Sequence, residues 1–208
     1  MQEFLYITFG WLLGLLGNPV ITKIENHYKR KNIKVGIFSE LEILCVRLAA
    51  SCYRIQMHLG TRNKESIIWI KTIYRKYRTG CPEDVIEALD KMLKVPDEQF
   101  NAFVEQTKAE TDVGLKLKTF SMPFTESVMG QLGIFKSEFQ RKIFEVVAQV
   151  NILNEDIETA TFYHRLTFDA SSATNNMNII KGNLTVSYND IVDRCKIIVN
   201  KIEEAMNR

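Results

Sequence analysis

Uncharged side chains run without interruption from Phe4 to Thr22, in the stretch FLYITFGWLLGLLGNPVIT. As an α-helix these nineteen residues would span about 28 Å, close to the roughly 30 Å of a bilayer hydrocarbon core. The pattern predicts a transmembrane anchor over residues 1–24, with an interfacial or re-entrant helix and a buried helix of a soluble bundle as alternatives. A cleaved secretory signal is disfavoured, because the chain starts with Met-Gln-Glu rather than with positive charges.

Positive side chains follow the apolar stretch at once. Residues 25–35 are predicted to form a basic juxtamembrane segment, in which Lys29, Arg30, Lys31 and Lys34 contact lipid headgroups. Because Lys and Arg are retained on the cytoplasmic side, we expect a single-pass protein of the inner (cell) membrane with its amino terminus outside. The first 80 residues carry 13 Lys+Arg against 5 Asp+Glu, and the remainder 14 against 20, which agrees with a basic part facing anionic lipid.

Three glycines fall on one face of the predicted anchor. Gly10, Gly14 and Gly17 are spaced by four and three residues, and small residues on one face let two membrane helices approach closely. The spacing predicts self-association through this face and hence a homo-oligomer. The alternative is compositional, since glycine is generally more frequent in membrane helices than in soluble ones.

The remainder of the chain, residues 36–208, has the apolar periodicity of an all-α helical bundle. The predicted orientation of the anchor places this bundle in the cytoplasm. A helix is predicted to start at a capping box of Ser39 and Glu42, and Asn63 is predicted to cap the next helix. From 113 to 124 apolar and polar residues alternate, but no partner strand is evident, so an extended connector is expected. The stripe of the first helix of this bundle consists of Leu41, Cys45, Leu48, Cys52, Ile55 and Leu59.

The last third of the chain predicts an antiparallel coiled-coil hairpin. Two long segments have apolar residues at a mean spacing of 3.5 and are separated by the polar stretch DASSATNN. The first stripe is Ile143, Val146, Val150, Leu153, Ile157 and Ala160, and the second is Leu184, Tyr188, Ile191, Cys195, Ile198, Ile202 and Ala205.

Motifs for catalysis, cofactor binding or metal binding do not emerge from the sequence. The histidines lack metal-ligand spacing, and no phosphate-binding glycine loop, nucleophile elbow or dinucleotide fingerprint occurs. Arg54 and His58 are similar to the Arg–His pair of certain helical ribonucleases, but three residues separate them where four to six are usual. We therefore predict no catalytic residue, no cofactor and no metal.

Other polar and reactive side chains receive structural interpretations. Cys45, Cys52 and Cys195 lie in apolar stripes, as buried reduced thiols do. Asn154, beside the seam of a long helix, is predicted to fix the register between helices. The stretch IYRKYRTG is interpreted as the basic end of a helix, with lipid or nucleic acid contact as alternatives and nucleic acid disfavoured.

The stretches GWLLGLLGNPVITKIENHYKRK and IFSELEILCVRLAASCYRI carry a resemblance. With the later NILNEDIETATFYHRLTFD they resemble bacterial proteins of uncharacterised activity that have one amino-terminal membrane anchor and a cytoplasmic helical body. The resemblance implies that architecture and brings no activity or site residue with it.

The function expected from the sequence is that of a non-enzymatic interaction or sensor module, tethered to membrane lipid and binding an unidentified protein partner. One alternative is a membrane-perturbing effector of a toxin or antiphage-defence system, whose glycine-bearing spans assemble on a trigger. The other is a helical ribonuclease-like enzyme, which would need Arg54 and His58 exposed in one cleft.

Overall fold

The computed structural model describes residues 2–77, 83–109, 115–168 and 174–207, without the side chains of 2–5, 7–9, 12–20 and 174–175. Within these ranges the chain forms seven α-helices and a short 3-10 helix and no strand, so the predicted all-α helical bundle is confirmed. The α-helices are α1 (Gln2–Leu59), α2 (Lys64–Lys76), α3 (Glu83–Lys94), α4 (Asp97–Thr107), α5 (Pro123–Val128), α6 (Ser137–Leu166) and α7 (Thr174–Met206), and the 3-10 helix is Met129–Ile134.

The first helix, α1, is 58 residues long, or about 87 Å at 1.5 Å per residue. The sequence predicted a helix start at Ser39, and this prediction is wrong, because α1 passes through that position without a break. The physical reason is that Ile33 and Ile37 are buried and extend the stripe of Leu41 in the amino-terminal direction. Packing therefore holds the backbone helical where a local capping signal suggested a boundary. Asn63 does cap α2, where its Oδ1 accepts the Ser66 N–H at 2.7 Å.

The centre of the bundle is α7, which packs against α1 on one side and α6 on the other. Helices α6 and α7 run antiparallel, since Glu145 pairs with Lys201 at 3.4 Å while Asp156 pairs with Arg194. Both predicted hairpin stripes are buried in full, from Ile143 to Ala160 and from Leu184 to Ala205. Along α1, the Cys52 Sγ lies 3.7 Å from the Val192 carbonyl oxygen of α7.

The connector before α5 contains neither helix nor strand over its described residues, 115–122, while 113–114 lie outside the described residues. It lies across α7 between α1 and α6. At one end, the Tyr188 hydroxyl of α7 accepts the Leu115 N–H at 3.1 Å and donates to the Leu115 carbonyl at 3.0 Å. At the other, the carboxylate of Glu40 on α1 accepts the first N–H groups of α5, from Phe124 at 2.9 Å and Thr125 at 2.7 Å.

Candidate functional site

The amino-terminal half of α1 extends away from the bundle. Every described side chain from Tyr6 to Asn32 is exposed, and Ile33 is the first buried one. We name residues 2–32 the arm. Large apolar side chains of the arm are in contact with water, including Trp11, which is 68% exposed. A helix with such a surface is typical of a segment that another molecule covers.

The exposed apolar residues of the arm continue the predicted glycine face. Counting by alternate steps of four and three from Gly10 gives Gly14, Gly17, Ile21, Ile24, Tyr28, Lys31 and Val35. We name this set the arm stripe. Ile21, Ile24, Tyr28 and Val35 are all more than half exposed. A Cβ placed on Gly10 would have no neighbour within 4 Å, while the side-chain positions of Gly14 and Gly17 lie outside the described residues.

The arm stripe and the bundle use opposite faces of α1. Val35 is 60% exposed, although its near neighbours Ile33 and Ile37 are 6% and 0% exposed. The bundle therefore leaves the stripe free where the two faces overlap in sequence. The sequence analysis identified the three glycines but missed that Ile21, Ile24 and Tyr28 continue their face beyond the glycines. The 3.5-residue mean spacing, which is the same in both parts, could have revealed this continuation.

The predicted headgroup-binding cations divide into two groups. Lys29, Arg30 and Lys31 are exposed on the arm. Lys34 is half-buried instead, with its Nζ 5.0 Å from the ring centroid of Phe38 and 5.9 Å from that of Phe139 on α6. The Lys34 charge therefore packs on aromatic faces at the base of the arm.

Among the described residues, none of the helices combines the length with the apolar character that a bilayer crossing requires. The predicted anchor, residues 1–24, falls largely on side chains outside the described residues.

Arg54 and His58, the pair with ribonuclease-like spacing, have different surroundings. Arg54 is exposed and lines a groove between α1 and the connector, whereas His58 does not line it. The half-buried His58 ring packs edge-on against Tyr188, with the ring centroids 5.5 Å apart. Burial lowers the pKa of His58 below its ordinary value, and the nearby His164 lowers it further.

The lowered pKa of His58 predicts a loss of stability in mild acid. Below the ordinary pKa of 6.5, His58 binds a proton in the unfolded chain but resists it in the folded chain. The free energy of unfolding therefore decreases as the pH is lowered from 6.5 through the pKa of folded His58. Replacing His58 with Phe should flatten this part of the stability profile, measured by urea unfolding between neutral and mildly acidic pH. The exposed His27 supplies the control, and a His27→Phe variant with the same flattening would contradict the assignment.

Asn154 binds the connector instead of fixing the register between helices, so its predicted role is wrong. Its Oδ1 accepts the Phe120 N–H at 2.8 Å, and its Nδ2 donates to the Phe120 carbonyl at 2.8 Å. The amide thus replaces the strand partner that an extended segment normally needs. The interpretation failed because the connector crosses the seam of α6 at this residue.

The remaining candidates have structural environments. Cys45, Cys52 and Cys195 are buried and free, and burial raises the pKa of Cys45 to about 12. Of the basic stretch IYRKYRTG, Arg75 pairs with Asp90 of α3 and Lys76 with Glu203 of α7, at 2.8 and 2.7 Å, while residues 78–80 lie outside the described residues. Clusters of three or more metal-ligating side chains do not occur among the residues that the structure describes.

Comparisons of the chain with protein-family models, with curated proteins and with solved structures give no match.

Proposed function

We propose that the protein is a membrane-tethered, non-enzymatic helical interaction module. In this proposal the arm anchors the chain in a bacterial membrane and pairs with the arms of other copies, and the bundle binds a protein partner at the cytoplasmic face. The observation that carries the proposal is that α1 continues beyond the bundle as a helix on which Ile21, Ile24 and Tyr28 share one exposed face.

The bilayer is proposed as the environment of the first part of the arm. Exposed apolar surface costs roughly 25 cal/mol per Å², so the exposed side chains of Tyr6, Trp11 and Ile21 favour transfer out of water. The uncharged stretch ends at Thr22, and Lys23, Lys29 and Arg30 follow on the same helix. A continuous helix would bring these cations to the lipid headgroups directly after the apolar stretch.

A second copy of the chain is proposed as the partner of the arm stripe. Apolar residues that recur every 3.5 residues are typical of left-handed pairs of helices, which most membrane helix bundles also form. Anchoring in one bilayer would orient all copies in the same direction, so the stripes would meet in register. Ile21, Ile24 and Tyr28 would then form the seam just beyond the membrane, with the glycines at close approach inside it.

Disulfide cross-linking in lipid vesicles tests this pairing. In a parallel pair, equivalent stripe residues lie within about 7 Å between Cα atoms, the range that a disulfide can bridge. We expect Ile24→Cys and Tyr28→Cys to cross-link rapidly under mild oxidation, as followed by non-reducing electrophoresis. Asn26→Cys, two residues away on the opposite face of the same exposed segment, is the matched control and should give no disulfide-linked dimer.

Equal cross-linking at Asn26 and at the stripe positions would show random collision and overturn the pairing. Absence of cross-linking at both stripe positions in a vesicle-bound chain would overturn it as well. Cys45, Cys52 and Cys195 are buried. Cys81 lies outside the described residues, so every variant and the background chain carry Cys81→Ser.

A further inference from the structure

A basic groove lies between α1 and the connector, about halfway along the bundle. It encloses a cavity of about 180 Å³. Its charged lining consists of three cations and no carboxylate. The residues that line it are Arg47, Ser51 and Arg54 of α1, with Ala50 behind them, and Leu117, Lys118 and Phe120 of the connector.

The three cations of the groove form no ion pair within the described part of the chain. The ion pairs that the structure describes engage cations elsewhere, and none engages Arg47, Arg54 or Lys118. Three cations around one small cavity repel each other, and a bound anion would relieve that repulsion. The paired cations are Lys64, Lys71, Arg75, Lys76, Arg141, Lys142, Arg194, Lys196 and Lys201.

The Phe120 side of the groove is held in place by contacts within the chain. The guanidinium of Arg47 lies over the Phe120 ring, 5.2 Å from its centroid. Asn154 fixes the backbone of Phe120 through both of its 2.8 Å hydrogen bonds, and Tyr188 fixes Leu115 in the same way. The backbone on this side of the groove therefore needs no further ordering when a ligand binds.

A second cavity, of about 360 Å³, adjoins the first at Arg47, which lines both. Its lining includes the apolar side chains of Ile43, Leu44 and Phe124 and the hydroxyls of Ser39 and Ser121. Its one carboxylate, Glu40, is engaged by the N–H groups at the start of α5. The second cavity therefore suits an uncharged, partly apolar body rather than another anionic group.

We propose that this groove binds a soluble small molecule that carries phosphate groups. The phosphates lie among Arg47, Arg54 and Lys118, and the body of the molecule lies along Ile43 and Phe124. Guanidinium groups bind phosphate oxygens in bidentate fashion, and the Ser51 hydroxyl, on the same face of α1 as both arginines, adds a donor between them.

The position of the groove separates this ligand from the lipid headgroups that the tether would contact. Arg47 follows the end of the uncharged stretch, Thr22, by 25 residues of uninterrupted helix, or about 38 Å. The headgroup region of a bilayer is about 5–8 Å thick on each side. This inference does not depend on the proposed self-association, since the groove is formed within one chain.

Isothermal titration of the full chain in zwitterionic lipid discs with inorganic pyrophosphate tests the site at low salt. We expect saturable binding of one pyrophosphate per chain. Arg54→Gln and Lys118→Gln should each lower the affinity about tenfold, because each removes one charge-assisted contact. Lys116→Gln is the matched control, because Lys116 is exposed two residues away on the same connector and does not line the cavity. Its affinity should equal that of the parent chain.

Unsaturable binding, or equal weakening by Lys116→Gln and Lys118→Gln, would overturn the site. Unchanged thermal unfolding of each variant verifies that the effect is on binding. The titration is then repeated in discs that contain anionic lipid, where pyrophosphate should bind with the same affinity. If anionic lipid instead weakens pyrophosphate binding to the parent chain but not to Arg54→Gln, the groove binds lipid headgroups and the proposal of a soluble ligand is overturned.

Discussion

Replacing Asn154 with leucine is expected to lower the free energy of unfolding by about 3 kcal/mol, since it removes two hydrogen bonds and leaves two backbone groups unpaired. The Asn154 amide forms both hydrogen bonds of the Phe120 backbone, and the Phe120 side chain is buried. Leucine keeps the size of the side chain but can neither donate nor accept. The measurement is urea unfolding followed by far-ultraviolet circular dichroism on the full chain.

Asn151→Leu is the control for this prediction. Asn151 lies one turn earlier on α6 and is exposed, so the same change of side chain should alter stability by less than about 0.5 kcal/mol. Similar losses in both variants would show that the cost comes from placing leucine on α6 and not from releasing the connector. In that case the structural role assigned to Asn154 would fail.

The buried stripes of the bundle could be predicted from sequence because each depends on periodicity within one helix. Leu48 and Ile55 of α1, and Val146 and Leu153 of α6, are all buried as their spacing indicated. The hairpin followed from two such stripes joined by a polar segment. In these elements, local pattern and tertiary packing favour the same structure.

Features that depend on contacts between distant segments could not be predicted. Ser39 has the sequence signature of a helix start, but the burial of Ile33 and Ile37 carries α1 through it. The groove brings together Arg54 and Lys118, which are 64 residues apart in the sequence. The local sequence around either residue gives no sign of this contact. The hydrogen bonds between Asn154 and Phe120 were unpredictable for the same reason. The sequence of the connector does not show which distant side chain binds its backbone.

The second large effect is expected from charges placed within the uncharged stretch. Leu12→Arg combined with Leu15→Arg should release the full chain from membranes, because each arginine near a bilayer centre costs about 2.5–3.5 kcal/mol. Asn26→Arg combined with Asn32→Arg adds the same charge to exposed arm positions beyond the stretch and should leave the chain membrane-bound. The readout is the fraction of each chain in the membrane pellet after carbonate extraction.

The pelleted fraction of the unsubstituted chain is the most direct test of the central claim, that lipid surrounds the first part of the arm. The account predicts that the chain stays with the membrane at alkaline pH and enters solution when detergent is added. Recovery of the intact chain in the detergent-free supernatant, as a dispersed species, would contradict the tether and the proposed function with it.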